Sequence, residues 1–276
     1  MRRVLPLALI VCAPLAMGLG KCNDDALTAG EALRALEEVA LSSQAVNLSS
    51  SSVEIGTEFT IGQAVEAAAE ELRQFIESQL PCAQITLDGA TLSIEYGALP
   101  GACTYKGHTY DGVHEITVLS AQAGELVVEH VWDGLSDGSV RVDGSAQVTW
   151  SAADSSRNVV HELTWTREID GFSVVGGGDR TQTALAGGVL EGIEIDGDRY
   201  WTSKRGDWDL IVDGVEVRWQ DPVPQAGTLD LATPFDGKYA KLTFERVDED
   251  TIRVTVSSGS ESFEFDVSKL GAISEA

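Results

Sequence analysis

Two segments near the start of the chain carry apolar residues at helical spacing. In the first, Thr28 and Glu31 stand in the capping-box arrangement, in which each side chain satisfies a free backbone N–H of the first turn. The apolar positions that follow are Leu33, Leu36 and Ala40. We expect this helix to end near Ser42 and the serine-rich stretch 42–52 to be a loop.

The second segment predicts a longer amphipathic helix. Thr60 and Gln63 form another capping-box pattern, and Pro81 ends the helix. Its apolar positions are Ile61, Val65, Ala68, Leu72, Phe75, Ile76 and Leu80. Neither segment is basic, so we do not expect a membrane-surface helix. Each helix is expected to pack on the other or on a sheet.

From Ala83 onward the pattern changes to the alternation of short strands. Asp-Gly pairs punctuate these strands, and such pairs between alternating runs are a strong hairpin signal. They are Asp88-Gly89, Asp111-Gly112, Asp143-Gly144, Asp170-Gly171, Asp196-Gly197, Asp213-Gly214 and Asp236-Gly237. Short connections favour antiparallel neighbours, so the pattern predicts a long meander. No clean linker divides it, and Asp221-Pro222-Val223-Pro224 is either a break or a long loop before the last four strands.

The predicted fold is therefore mainly β. A large antiparallel meander, forming a sandwich or a barrel-like sheet, is preceded by two N-terminal helices. The predicted divisions are a signal peptide at 1–21, a tether and helical segment at 22–81, and an antiparallel β domain at 82–276. We expect a filled core, with the helices against one face or end of the sheet.

The first residues have the form of an export signal. Arg2 and Arg3 precede an apolar run from Val4 to Met17, which is too short to cross a bilayer as a stable helix. The signal can end in two ways. Leu19-Gly20-Lys21-Cys22 resembles a lipobox, although Lys21 replaces a small residue, whereas Ala16 and Gly18 suit ordinary cleavage after Gly18.

Lipidation of Cys22 is the favoured interpretation, because it gives this cysteine a purpose. Asn23 in the next position then favours an outer-membrane lipoprotein, held to the membrane through its lipid anchor. Without lipid the protein is expected to be periplasmic or secreted. In that oxidising setting, Cys82 and Cys103 are expected to form a disulfide, with two buried thiols as the alternative.

Net charge narrows the choice of partners. The chain has 44 acidic and 19 basic residues, for a formal charge of −25. Residues 1–21 contain only basic charges, so their removal makes the remainder more acidic still. Such acidity repels phosphate backbones and anionic membrane surfaces, which excludes DNA and RNA as partners. An envelope protein or a polysaccharide remains possible as a partner.

Part of the chain resembles known proteins. Three segments carry the likeness: the strand end Ile94-Glu95-Tyr96-Gly97 before Cys103, the glycine-spaced strands from Val113 to Thr149, and the run Leu163-Thr164-Trp165-Thr166. Over about Pro81–Trp219 the chain is similar to uncharacterised bacterial cell-envelope lipoproteins with a β-rich C-terminal region. Glu95-Tyr96 stands where an Asp-Phe pair is expected. The resemblance implies envelope location and β architecture, and no activity.

Three patterns could carry polar chemistry. Gly134-Leu135-Ser136-Asp137-Gly138 matches the G-x-S-x-G form of a hydrolase nucleophile, but strands are predicted on both sides of it, which favours a hairpin loop. His114 and His130 could meet across a strand ladder and bind zinc or copper, or be ordinary half-buried histidines. No cofactor is expected. Acidic clusters at Asp196-Gly197-Asp198, Asp207-Trp208-Asp209 and Asp248-Glu249-Asp250 make calcium a candidate, but none completes an EF-hand loop, so a solvated acidic face is favoured.

Tyr200 and Trp201 form the remaining candidate ligand-binding site. Adjacent strand positions face opposite sides of a sheet, so one of these rings is expected to be exposed and able to stack on a sugar. Nothing catalytic stands out, and the leading interpretation is a non-enzymatic structural or binding module. The alternatives are a secreted carbohydrate-active or other hydrolytic enzyme, and a barrel-type carrier of a small apolar ligand.

Overall fold

A computed structural model describes residues 26–54, 65–105, 108–187, 191–218, 221–268 and 272–276. Its two helices are α1 (Ala29–Glu54) and α2 (Val65–Gln79). The predicted signal peptide, Cys22 and the second capping box lie outside the described residues. None of the helices in the described ranges combines the length and apolar character needed to cross a membrane.

The strands follow the helices in chain order. They are β1 (Gln84–Asp88), β2 (Thr91–Tyr96), β3 (Thr104–Tyr105), β4 (His108–Thr109), β5 (Asp111–Gln122), β6 (Glu125–Ser136), β7 (Val140–Ser151), β8 (Ser156–Arg167), β9 (Phe172–Ala184), β10 (Gly192–Ser203), β11 (Gly206–Arg218), β12 (Asp221–Ala232), β13 (Tyr239–Arg246), β14 (Thr251–Ser258), β15 (Glu261–Ser268) and β16 (Ile273–Glu275).

One sheet contains almost all of these strands. In the described residues, fourteen strands pair in the order β1-β2-β5 and then consecutively to β16, while β3 and β4 form a separate hairpin. The pairings in the large sheet are antiparallel between neighbours. This confirms the predicted mainly β fold, a large antiparallel meander preceded by two helices. The sheet is not closed into a barrel.

Several strands are longer than the alternation pattern indicates. Asp88-Gly89, Asp170-Gly171 and Asp236-Gly237 lie at connections between strands, as expected. The other Asp-Gly pairs lie inside continuous strands, so the hairpins predicted there are wrong. These internal pairs are Asp111-Gly112 in β5, Asp143-Gly144 in β7, Asp196-Gly197 in β10 and Asp213-Gly214 in β11. Segments predicted as two strands around each of the last three pairs are therefore single long strands.

The internal Asp-Gly pairs coincide with irregular strand pairing. The register of β10 against β11 shifts between Ile195 and Gly197, where Gly197 has φ of 141°. The Asp196 carboxylate accepts a hydrogen bond from the Gly214 N–H across the strands, at 2.8 Å. A β-carbon on Gly197 would lie 2.7 Å from the Arg180 Cα. Glycine at these bulges lets the strands bend without breaking the ladder.

Helix α1 does not end near Ser42, as the sequence analysis predicts, but continues to Glu54. Serine is a modest helix former, and its hydroxyl can bond to a backbone carbonyl one turn back. Ser49 donates to the Val46 carbonyl at 3.0 Å, and Ser52 donates to the Ser49 carbonyl at 2.7 Å. Contacts with the sheet stabilise the helix where propensity alone indicates a loop.

Helix α1 is buried on several sides. Its buried residues include Ala35, Leu36, Glu38, Val39, Leu41, Ser42, Ala45, Leu48, Ser52 and Val53. These positions span far more than one helical stripe, which is typical of a helix enclosed by other elements. Helix α2 packs on β1, β2 and β5 through Ala68, Leu72 and Ile76. Both helices therefore lie on the sheet, as expected.

Cys82 and Cys103 form the predicted disulfide. It joins the segment after α2 to the segment before β3, across 21 residues of sequence. Closing a loop of that size stabilises a fold by about 3 kcal/mol in the chain-entropy description. The bridge therefore holds the start of the sheet against the end of the second helix.

Candidate functional site

A cavity of about 320 Å³ lies between α1 and the inner face of the sheet and is partly open to solvent. Helix α1 supplies one wall, through Leu36, Val39, Ala40, Ser43, Gln44, Val46, Asn47, Ser50 and Ser51. The sheet residues that line it come from β8 to β15, so the sheet bends around this space. The expectation of a filled core is wrong at this place.

One part of the cavity is almost wholly apolar. Strands β11 to β15 place aliphatic and aromatic side chains there at alternate positions. These are Val212, Val215, Val217, Leu229, Leu242, Phe244, Ile252, Val254 and Val267. Volumes of about 300 to 1,000 Å³ with mostly apolar walls are typical of small-molecule sites.

The other part of the cavity is basic. Arg157 on β8, Arg180 on β9 and Arg199 on β10 line it, and each side chain is buried, with at most 8% of its surface exposed. Arg180 lies directly across from Val159 on β8 and from Gly197 on β10. Three neighbouring strands thus place buried arginine side chains along one side of the cavity, and we call these three residues the arginine cluster.

Glycine in β9 makes room for this cluster. Gly178 lies opposite both His161 on β8 and Arg199 on β10. A β-carbon at position 178 would stand 2.9 Å from the Arg199 Cγ and 2.9 Å from the His161 Cε1. The glycine-rich run at 176–178, which interrupts the alternation of the sequence, therefore allows larger polar side chains to approach from both sides.

Hydroxyl groups of α1 accept hydrogen bonds from the cluster. Arg199 donates to Ser42 Oγ at 3.2 Å, and Arg180 donates to Ser50 Oγ at 2.9 Å. Arg157 donates through Nε to the Gln182 side-chain carbonyl. Arg180 Nε is buried without a hydrogen-bond partner. Among the residues that the structure describes, no carboxylate forms an ion pair with Arg180 or Arg199.

Burial and mutual repulsion oppose the charges of this cluster. Burial, with repulsion from Arg199 and Arg157, lowers the pKa of Arg180 to about 9. Burial lowers the pKa of Arg199 to about 10. Both groups remain cationic at neutral pH. Buried arginines are almost always paired with acids, so it is unusual that no described carboxylate pairs with Arg180 or Arg199 in a chain of net charge −25.

A separate polar contact ties α1 to β10. Glu38, which is 1% exposed, accepts hydrogen bonds from Trp201 Nε1 at 3.2 Å and from Ser203 Oγ at 3.0 Å. Arg205 lies 3.4 Å from the same carboxylate. Burial raises the pKa of Glu38 despite these partners. The contact anchors the first half of α1 beside the cavity.

The structure separates the predicted pair Tyr200 and Trp201. Trp201 is buried and stacks on Trp208, with ring centroids 6.0 Å apart. Tyr200 is 45% exposed on the outer face, where its hydroxyl donates to Glu162 at 3.0 Å. One ring is thus exposed, as the alternation of a strand requires, but Trp201 belongs to the core and to the Glu38 contact.

His114 and His130 do meet across the β5–β6 pairing. Their rings are linked by a hydrogen bond of 2.9 Å, and His114 is also linked to the Tyr96 hydroxyl at 3.2 Å. These bonds occupy the nitrogens that would face a shared metal ion. In the described part of the chain, no three His, Cys, Asp or Glu side chains are grouped to hold a metal ion.

The G-x-S-x-G segment forms a strand connection and not a nucleophile elbow. Ser136 ends β6, is buried, and accepts a hydrogen bond from the Gly138 N–H at 2.9 Å. Asp137 binds the neighbouring backbone and lies 3.0 Å from His108 Nδ1. A strand follows the segment where the hydrolase mechanism requires a helix.

Sequence reasoning missed the arginine cluster, although a signal exists for each member. Arg157 stands two positions before Val159, and Arg199 two positions before Trp201, so each shares the buried face of its strand. Arg180 shares a face with Gln182. An arginine in phase with core residues indicates a buried charge. That the three charges meet depends on strand register.

We compared the chain with protein-family models, with curated proteins and with solved structures, and none of these comparisons found a match.

Proposed function

We propose that this protein binds a small apolar ligand between α1 and the sheet, and so acts as a carrier or binding module and not as an enzyme. The observation that carries the proposal is the cavity of about 320 Å³ with its aliphatic wall from β11 to β15. An engineered apolar cavity of about 150 Å³ is large enough to bind benzene, so this one suits a larger ligand.

The lining favours binding over hydrolysis. Glycoside hydrolysis uses two carboxyl groups that flank the bond to be cleaved. Among the described residues that line the cavity, Asp198 is the single carboxylate, and its side chain is exposed. The arginine cluster and the apolar wall supply recognition without an acid–base pair.

Filling the cavity should abolish binding. Ala40 lies on the α1 wall and is half-buried, so Ala40→Trp places an indole in the ligand space. We expect the wild-type protein to bind the neutral probe Nile red saturably, and the variant to bind it at least about tenfold more weakly, because the apolar contacts are already occupied. Fluorescence titration measures both affinities.

The matched control is Ala152→Trp, which adds the same ring in the exposed turn between β7 and β8. This variant should bind Nile red as the wild type does, and thermal unfolding should show both variants folded. Equal affinity of a folded Ala40→Trp protein and the wild type would place the probe elsewhere and exclude the cavity as its site.

We also propose that the protein is exported and held at the outer membrane through lipid on Cys22. Three features of the sequence support this proposal: the basic residues at the start, the short apolar run that follows, and the lipobox-like segment Leu19–Cys22. A lipid-anchored carrier would work at a membrane surface, where apolar ligands are available. An envelope protein or a polysaccharide remains a possible partner in this proposal, and nucleic acid does not.

Intact mass spectrometry of the protein from its native membrane fraction tests the anchor. We expect a chain that begins at Cys22 and carries a diacylglyceryl group and an acyl chain. A chain that begins at Leu19 without lipid would instead indicate ordinary cleavage after Gly18 and a soluble, exported carrier. A Cys22→Ser variant, which cannot be lipidated, provides the control and should appear in the soluble fraction.

A further inference from the structure

The arginine cluster lies along one side of a cavity whose other side is aliphatic. Arg157, Arg180 and Arg199 come from β8, β9 and β10, whereas Leu242 and Val254 come from β13 and β14. The cavity is therefore polarised, with positive charge on one side and hydrocarbon on the other. A wholly apolar ligand would offer no acceptor to the buried charges of Arg180 and Arg199.

Two of these charges, on Arg180 and Arg199, have no carboxylate partner among the residues that the structure describes. The described structure pairs neither Arg180 nor Arg199 with a carboxylate, although the chain has 44 acidic residues from which one could have been supplied. Arg180 Nε is a buried donor without an acceptor. The hydrogen bonds that the structure describes between α1 and Arg180 or Arg199 go to neutral serine hydroxyls. A planar guanidinium binds carboxylate or phosphate oxygens in paired hydrogen bonds.

We infer that the ligand is an anionic amphiphile whose carboxylate or phosphate head group binds the arginine cluster at Arg180 while its hydrocarbon chain lies against β11 to β15. This inference rests on the proposed function and specifies its ligand class. The head group supplies the acceptor that Arg180 Nε lacks and neutralises the mutual repulsion of the cluster. Fatty acids and single-chain phospholipids share this chemistry.

Calorimetric titration of the delipidated wild-type protein with three probes tests the inference without any substitution. Dodecanoate has both the head group and the chain, dodecanol has the chain alone, and inorganic phosphate has an anion alone. We expect dodecanoate to bind at least about tenfold more tightly than dodecanol, since hydrogen bonds to charged groups are worth about that factor or more. Inorganic phosphate should bind far more weakly than dodecanoate.

Arg180→Gln should remove this preference. We expect it to weaken dodecanoate binding at least about tenfold and to leave dodecanol binding unchanged. Its melting temperature should equal or exceed that of the wild type, because it removes a buried charge that no described carboxylate pairs. A purely structural role of Arg180 would lower the melting temperature of the variant. The control Arg141→Gln removes the same charge from an exposed position, with 56% of the side chain accessible. Arg199→Gln is the second variant if Arg180→Gln fails to fold.

The outcomes separate this inference from the proposed function. If dodecanol and dodecanoate bind equally, the cavity binds apolar ligands without recognising a head group, and only the inference is overturned. If neither binds, both proposals fail. Equal effects of Arg180→Gln and Arg141→Gln on dodecanoate binding would also overturn the inference, since the cluster would then play no specific role.

Discussion

Acidification from pH 7 to pH 5 is expected to destabilise this protein strongly. His114, His130 and His161 are at most 4% exposed. Burial lowers the pKa of His130 and of His161 to about 3, with repulsion from nearby arginines, and burial takes the pKa of His114 well below 6.5. Because the unfolded chain binds protons below about pH 6.5 and the folded one does not, acid favours unfolding.

Each histidine contributes stability that is fully present above pH 6.5 and is lost as the pH falls toward 3. Between pH 7 and pH 5 the loss is about 2 kcal/mol each for His130 and His161, or about 4 kcal/mol together, and His114 adds to it in the same direction, against a total stability of about 5 to 15 kcal/mol for typical domains. Glu38 acts in the opposite sense, because its raised pKa favours the folded state at lower pH, but it is one group.

Urea unfolding at a series of pH values measures this loss. His161→Leu should reduce the difference between pH 7 and pH 5 by about 2 kcal/mol. At pH 7 this substitution should lower the free energy of unfolding only slightly, because His161 Nδ1 has no hydrogen-bond partner to lose. Gln147→Leu, an exposed change on the neighbouring strand, is the control and should keep the wild-type pH dependence. If the free energy of unfolding changes with pH equally in His161→Leu and in the wild type, His161 does not contribute to the loss of stability in acid.

The second large effect is expected at Trp201. Trp201→Ala should lower the free energy of unfolding by about 5 kcal/mol, since it leaves a cavity beside Trp208 and removes a hydrogen-bond donor from buried Glu38. Trp201→Phe keeps most of the ring and should lose only the hydrogen bond, at about 1 to 3 kcal/mol. Chemical denaturation at neutral pH measures both.

Tyr200→Ala, one residue away, is the matched control. Tyr200 is exposed on the outer face and hydrogen-bonds to Glu162, so this change should cost less than about 1 kcal/mol. If Tyr200→Ala lowers the free energy of unfolding as much as Trp201→Ala does, the outer face of β10 is covered and Tyr200 is not an exposed side chain. A small loss at Trp201 would mean that α1 does not depend on the Glu38 contact.

Much of the architecture follows from local pattern. Alternation predicts which residues of β8 face the core, such as Val159 and Leu163, because successive side chains on a strand point to opposite faces. The Cys82–Cys103 bridge follows from cysteine arithmetic in an export context. The candidate site was harder to predict. Alternation predicts that one ring of the Tyr200–Trp201 pair is exposed, but not which one, and it predicts neither the cavity nor its arginines.

The sequence by itself therefore determined the two helices, the antiparallel meander and the disulfide, since these depend on periodicity, turn residues and composition along short stretches of chain. Tertiary structure alone decided three other features. It placed four Asp-Gly pairs inside continuous strands, extended α1 through its serines to Glu54, and brought Arg157, Arg180 and Arg199 to the same cavity. Each depends on contacts between residues far apart in sequence, which no local pattern specifies.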